Sequence, residues 1–154
     1  MSAEPKAAQG LAALWAGTSF GGALIAAPAK FQAETLTLPV ALDVGRAQFF
    51  WVGAGEAFLC ACFLLSLLFV KTLNRTVILM PIMLFAAQRL VIMPQLDART
   101  LQVISGQPVE PSSLHLVFVA LEVLKFLLLA GLGLGLLKIV RRNTESLGSI
   151  RIAP

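Results

Sequence analysis

With 154 residues the chain has the size of one domain, and 58% hydrophobic against 13% charged residues lies well outside the soluble norm of about 45–50% and 25%. That excludes a water-exposed globule, because a domain this small cannot enclose so many Leu, Ala, Phe and Val side chains. The net charge of +4 does not point to nucleic acid, since the basic residues stand between apolar blocks and form no stripe with interleaved aromatics.

Four apolar blocks are long enough to cross a roughly 30 Å hydrocarbon layer, which takes about 17–25 helical residues: 11–27, 49–70, 77–93 and 114–140. Lipid offers no hydrogen-bond partners and the alternation of a closed barrel is absent, so each block is predicted to be a helix. The expected fold is an all-α, integral membrane four-helix bundle forming a single membrane domain.

The first block is bracketed by Gly10 and Pro28, with Trp15 as an interfacial belt residue. Gly17 and Gly21 give it a small face for helix packing. Lys6, the apolar stretch and Ala27-Pro28-Ala29 also suit a secretory leader with its cleavage site. Glu4 and the polar or small residues 17–19, 21 and 22 oppose that alternative. Next, Thr37 and Pro39 read as a helix start, giving a short interfacial helix over 38–47 or an extension of the second span. The second block carries Trp51 near the opposite interface, and Cys60 and Cys62, two apart on a helix, read as small apolar fillers. The segment from Lys71 to Arg75 is a tight turn, the third block contains Pro81 one turn in and stops at Pro94, and Ser112 or Ser113 caps the fourth. Gly131 and Gly135 offer a second packing face. The connections 28–48 and 94–113 are expected to be long loops bearing the charge pairs Asp43 with Arg46 and Asp97 with Arg99.

Lys6, Lys71, Arg75, Lys138, Arg141, Arg142 and Arg151 fall on one side, seven in all, against Lys30, Arg46 and Arg99 on the other, three. Cytoplasmic loops carry the positive excess, so both termini are expected inside and the long loops outside. Compactness and the lack of eukaryotic sorting signals point to a bacterial-type inner membrane.

Four charges interrupt the apolar blocks: Glu56, Arg89, Glu122 and Lys125. Each costs about 2.5–3.5 kcal/mol near the centre of a bilayer, so such residues occur with a partner or a function. The ~1.5 Å rise per residue puts Glu56 about 10 Å, Arg89 about 6–9 Å, Glu122 about 12 Å and Lys125 about 16 Å inside the outer ends of their blocks. Two acids and two bases therefore meet at similar depth, with Gln88 beside Arg89 and His115 on the face of Glu122. Two readings stay open: an ion-pair network that fixes helix order, or the lining of a cavity that holds a ligand's polar head or relays protons. His115 is the only histidine, which excludes bis-histidine haem and leaves a single-ligand haem or chlorin, or a quinone. No catalytic triad, phosphate loop or metal-ligand cluster is present in the sequence.

Leu-Trp-Ala-Gly at 14–17, Ala-Pro-Ala-Lys-Phe at 27–31, Pro-Gln-Leu-Asp-Ala-Arg at 94–99 and the Leu114-His115 pair resemble the small four-helix membrane proteins of the transmembrane-protein-205-like group. The chain departs from that group in lacking tyrosine and in carrying Glu122 and Lys125. A second resemblance is to four-helix anthrone-oxygenase-like membrane proteins. Both imply a four-helix membrane fold and neither supplies an active site. The function expected is a non-enzymatic accessory or hydrophobic-ligand-binding subunit, with lipid and membrane proteins, or further copies of the chain, as partners. The alternatives are an oxidoreductase or oxygenase acting on a quinone-like substrate, with His115 and Glu122 handling protons, and an oligomeric proton-linked transporter with Glu122 and Lys125 as the relay.

Overall fold

A computed structural model describes residues 4–70 and 74–139. It is helical, without a strand among the described residues, and contains four helices long and apolar enough to cross a membrane: Lys6–Gln32, Leu38–Leu67, Arg75–Ile104 and Leu114–Gly133. We refer to them as the first to fourth helices. Only 22–33% of the most apolar stretch of each is buried within the protein, so most of their Leu, Phe and Val surface lies on the outside of the molecule, as a membrane-spanning helix requires. Trp51, at 72% exposed, belongs to that outer surface.

The helices run further than the sequence breakers suggest. Gly10 lies inside the first helix, and Pro28 inside its last turns. Residues 38–47 do not form a separate interfacial helix but continue into the second helix without a break. Thr37 takes the N-cap position there, Pro39 lies in the first turn, and the Ala41 N–H donates to the Thr37 carbonyl at 2.9 Å. The third helix passes through Pro94 to Ile104. The connections expected over 28–48 and 94–113 therefore shrink to residues 33–37 and 105–113.

A wide turn explains how two of the prolines are accommodated. Phe20–Ala26 and Gln88–Ile92 are π-helical, and Pro28 and Pro94 follow each of them by two residues. Proline lacks the N–H for an i−4 bond, and its ring collides with the i−4 carbonyl. A π turn shifts bonding to i−5, as the Met93 N–H bonded to the Gln88 carbonyl shows, and carries the helix past the proline.

The fourth helix stops at Gly133, short of Val140, and Val140 itself lies outside the described residues. Gly135 has φ of 71°, a left-handed conformation that glycine adopts without a Cβ clash. The chain then folds back, with the Leu137 N–H donating to the Gly131 carbonyl at 2.9 Å. The expected Gly131–Gly135 packing face is therefore not formed. Gly133 approaches a neighbour instead, where a Cβ would lie 2.8 Å from Ala13 Cα. A Cβ on Gly17 or Gly21 would meet nothing within 4 Å, so that small face packs closely against no other element among the described residues.

The apolar core occupies the end of the molecule that carries both chain termini of the described segment. Ala8, Ala12, Trp15, Phe63, Leu129 and Leu132 lie at its centre, and the Asn74 N–H donates to the Ile139 carbonyl at 2.7 Å across the same end. Polar groups and then a cavity follow toward the other end.

Candidate functional site

Five buried polar side chains from all four helices meet above this core: Ser19, Glu56, Gln88, Glu122 and Lys125, each at most 2% exposed. Lys125 is the centre. Its Nζ lies 2.6 Å from Glu56 Oε1 and 3.0 Å from Glu122 Oε2, so one ammonium bridges carboxylates on the second and fourth helices. Glu122 also accepts from Gln88 Nε2 at 2.8 Å and from the Ser19 hydroxyl. Glu56 accepts from Trp15 Nε1 at 3.2 Å. A buried carboxylate needs this saturation of its lone pairs, because each missing partner leaves an uncompensated desolvation cost.

Arg89 is less central. Its Nη2 lies 3.8 Å from Glu56 Oε2, at the limit of an ion pair, and donates to the Phe49 carbonyl at 2.9 Å. The guanidinium lies flat against Gly53, where an added Cβ would overlap it. Phe85 lies beneath both cations, 5.5 Å from Lys125 Nζ and 6.0 Å from the Arg89 guanidinium carbon. Formally, two acids meet two bases.

The structure thus brings Glu56, Gln88, Arg89, Glu122 and Lys125 together, and adds Trp15 and Ser19. Trp15 does not stand in an interfacial belt. It is fully buried, edge-on to Phe63 and Phe85 with ring centroids 6.3 and 5.6 Å away, because its indole N–H supplies the donor that Glu56 needs. Spacing could have revealed the pair: Trp15 and Ser19 are four apart and share a helical face. The depths also change, because the second and third helices begin and end farther out. Glu56 lies about 27 Å along its helix from Leu38, and Arg89 about 22 Å from Ile104.

Beyond the polar layer opens a cavity of about 390 Å³, within the usual range for small-molecule sites. Every one of the four helices lines it. Its walls include Leu24, Phe31, Leu42, Phe49, Phe118 and Val119, and Glu122 faces it from the polar layer. Lys30, Arg46, Asp97, Thr100 and His115 also line it, so His115 and Glu122 do share one chamber. The π turn at 20–26 supplies Ala23 and Leu24 to the wall.

The charge pairing of the surrounding segments differs from the expectation in one respect. Arg46 pairs with Asp43 at 3.3 Å and with Asp97 at 2.6 Å, tying the second helix to the third. Asp97 and Arg99 do not pair: two apart on a helix, they point to different sides, and Arg99 donates to the Glu110 carbonyl instead. Outside the cavity, Arg89, Asp43, Arg46 and Asp97 also line an open groove of about 560 Å³ between the second and third helices.

Among the described residues no group of three or more His, Cys, Asp or Glu is placed to hold a metal ion. Cys60 is buried, and both it and Cys62 are free thiols. No known protein family, curated protein or solved structure matches the chain.

Proposed function

We propose that the chain is a four-helix bundle of a bacterial-type inner membrane, with both termini in the cytoplasm, that binds a hydrophobic ligand and catalyses no reaction. The observation that carries this reading is the cavity of about 390 Å³, walled mainly by apolar side chains and resting on a buried network whose formal charges cancel. An ion-pair layer in which three of the four carboxylate oxygens accept hydrogen bonds, the fourth lying 3.8 Å from Arg89, is suited to hold helices in register. It leaves the apolar walls above it to bind a ligand by excluding water. The small N-in, C-in topology rests on the Lys and Arg distribution, and the size of the chain suits an accessory subunit that works with other membrane proteins or further copies of itself.

Gentle purification from membranes followed by mass spectrometry of an organic extract tests the reading. One lipid-like or hydrophobic compound at close to one per chain is the expected result. An extract with the composition of the bulk membrane, unchanged by Val119→Trp in the cavity wall, overturns it.

A second reading has one specific observation in its favour. His115 and Glu122 line the same cavity, so a quinone-like compound there would meet both a titratable imidazole and a carboxylate. An absorbance spectrum of the same preparation separates the two: a stoichiometric quinone or chromophore favours redox chemistry, and a colourless ligand favours simple binding.

A further inference from the structure

Among the described residues, Lys30 is the one cavity-lining charge without a counter-charge. Glu122 is occupied by Lys125, Gln88 and Ser19, and both oxygens of Asp97 are taken by Arg46. Lys30 has no hydrogen-bond or ion-pair partner among the described residues. Its ammonium lies instead over the rings of Phe31 and Phe49, at 5.2 and 5.5 Å from their centroids. It sits in a niche that exists because residue 45 is glycine, since a Cβ there would overlap Nζ. Half-buried against apolar and aromatic surface, a lysine has lost part of its hydration and gained only weak cation–π attraction in return. An anion at this position would form a charge-assisted hydrogen bond in a poorly hydrated setting, where such bonds are strongest.

Building on the ligand-binding reading, we propose that the cavity takes an amphiphile with a single acyl chain and an anionic head, with the head held by Lys30 and the chain against the apolar walls. Phe31 and Phe49 flank the head site, and Leu24, Leu42, Phe118 and Val119 supply the surface for the chain. The two carboxylates of the cavity repel the head less than free ones would, because Glu122 is paired with Lys125 and Asp97 with Arg46. A carboxylate and a phosphate monoester share this chemistry, and the measurement distinguishes them.

The test uses the full chain in a non-ionic detergent and three radiolabelled probes: palmitate, lysophosphatidate and methyl palmitate. Saturable binding is expected for at least one anion at about one per chain, and the tighter of the two identifies the head group. Lys30→Gln is expected to weaken that anion by about tenfold or more, corresponding to about 1.4 kcal/mol or more, while methyl palmitate is unaffected. Lys30→Arg restores most of the affinity, and Val119→Trp abolishes binding of all three. Lys30 has no partner whose loss would unfold the protein, so the variants should melt with the wild type. Equal affinity for anions and ester, or equal weakening of all three by Lys30→Gln, overturns the head-group assignment and leaves ligand binding standing. Binding of none, or binding indifferent to Val119→Trp, overturns both.

Discussion

A single ammonium joins the two buried carboxylates, and side chains around it are therefore unequal in what their loss would do. Lys125→Met leaves Glu56 and Glu122 facing each other without a cation between them. It is expected to cost about 3–5 kcal/mol, as breaking a buried pair does, read as a large drop in melting temperature in detergent. Arg89→Ala should cost less, because its contact with Glu56 is at 3.8 Å and Arg89 keeps a 20% exposed side chain. A melt in which Arg89→Ala is the more damaging change would contradict this ranking. Trp15→Phe keeps a smaller aromatic ring and removes the donor to Glu56, for an expected loss of about 1.5–3 kcal/mol from the hydrogen bond to a charged group, to which the void left by the smaller ring adds. Trp51→Phe, on the exposed surface, should melt as the wild type does.

The four charges were legible in the sequence because apolar blocks tolerate a charge only with a partner. Trp15, Ser19 and Lys30 were not. A tryptophan in an apolar block suits a membrane interface as well as a core, and a serine near glycines looks like a small filler. Lys30 lies beyond Pro28, where the sequence reads as loop. Only the continued first helix carries it over the cavity.

At the scale of the helix, glycine spacing alone misplaces the close contacts. Gly17 and Gly21 have the small-residue spacing but open surroundings, whereas Gly133 meets the Ala13 backbone. Gly133→Val is accordingly expected to destabilise by about 1–3 kcal/mol through overpacking. Gly17→Ala should be neutral or stabilising by up to about 1 kcal/mol through helix propensity. Thermal melts of the pair check both, and equal effects would mean that the Gly133 contact is not tight. Helix existence was legible because length and apolarity decide it. Helix ends were not, because Pro28 and Pro94 act as breakers only when the backbone keeps strict i−4 bonding and the π turns relax that condition, while Gly10 is accommodated inside a regular α-helix.

At the scale of the whole molecule, orientation is the property most open to direct measurement. In a chain whose Cys60 and Cys62 are replaced by alanine, Gln107→Cys in the connection between the third and fourth helices should react with a membrane-impermeant maleimide added outside intact spheroplasts. Labelling only after lysis would reverse the topology. The charge asymmetry that supports this prediction lies partly at Lys71, Arg141, Arg142 and Arg151, outside the described residues.

The packed end and the hollow end of the molecule also differ in what they allow to pass. Trp15, Phe63, Leu129 and Leu132 are each fully buried below the polar layer. On the ligand-binding reading proposed above, the chamber is a cul-de-sac: a guest would leave by the mouth it entered or slip sideways between helices. On that reading such a shape suits storage, presentation or hand-over of a guest at one end of the bundle, with the packed end closed beneath it.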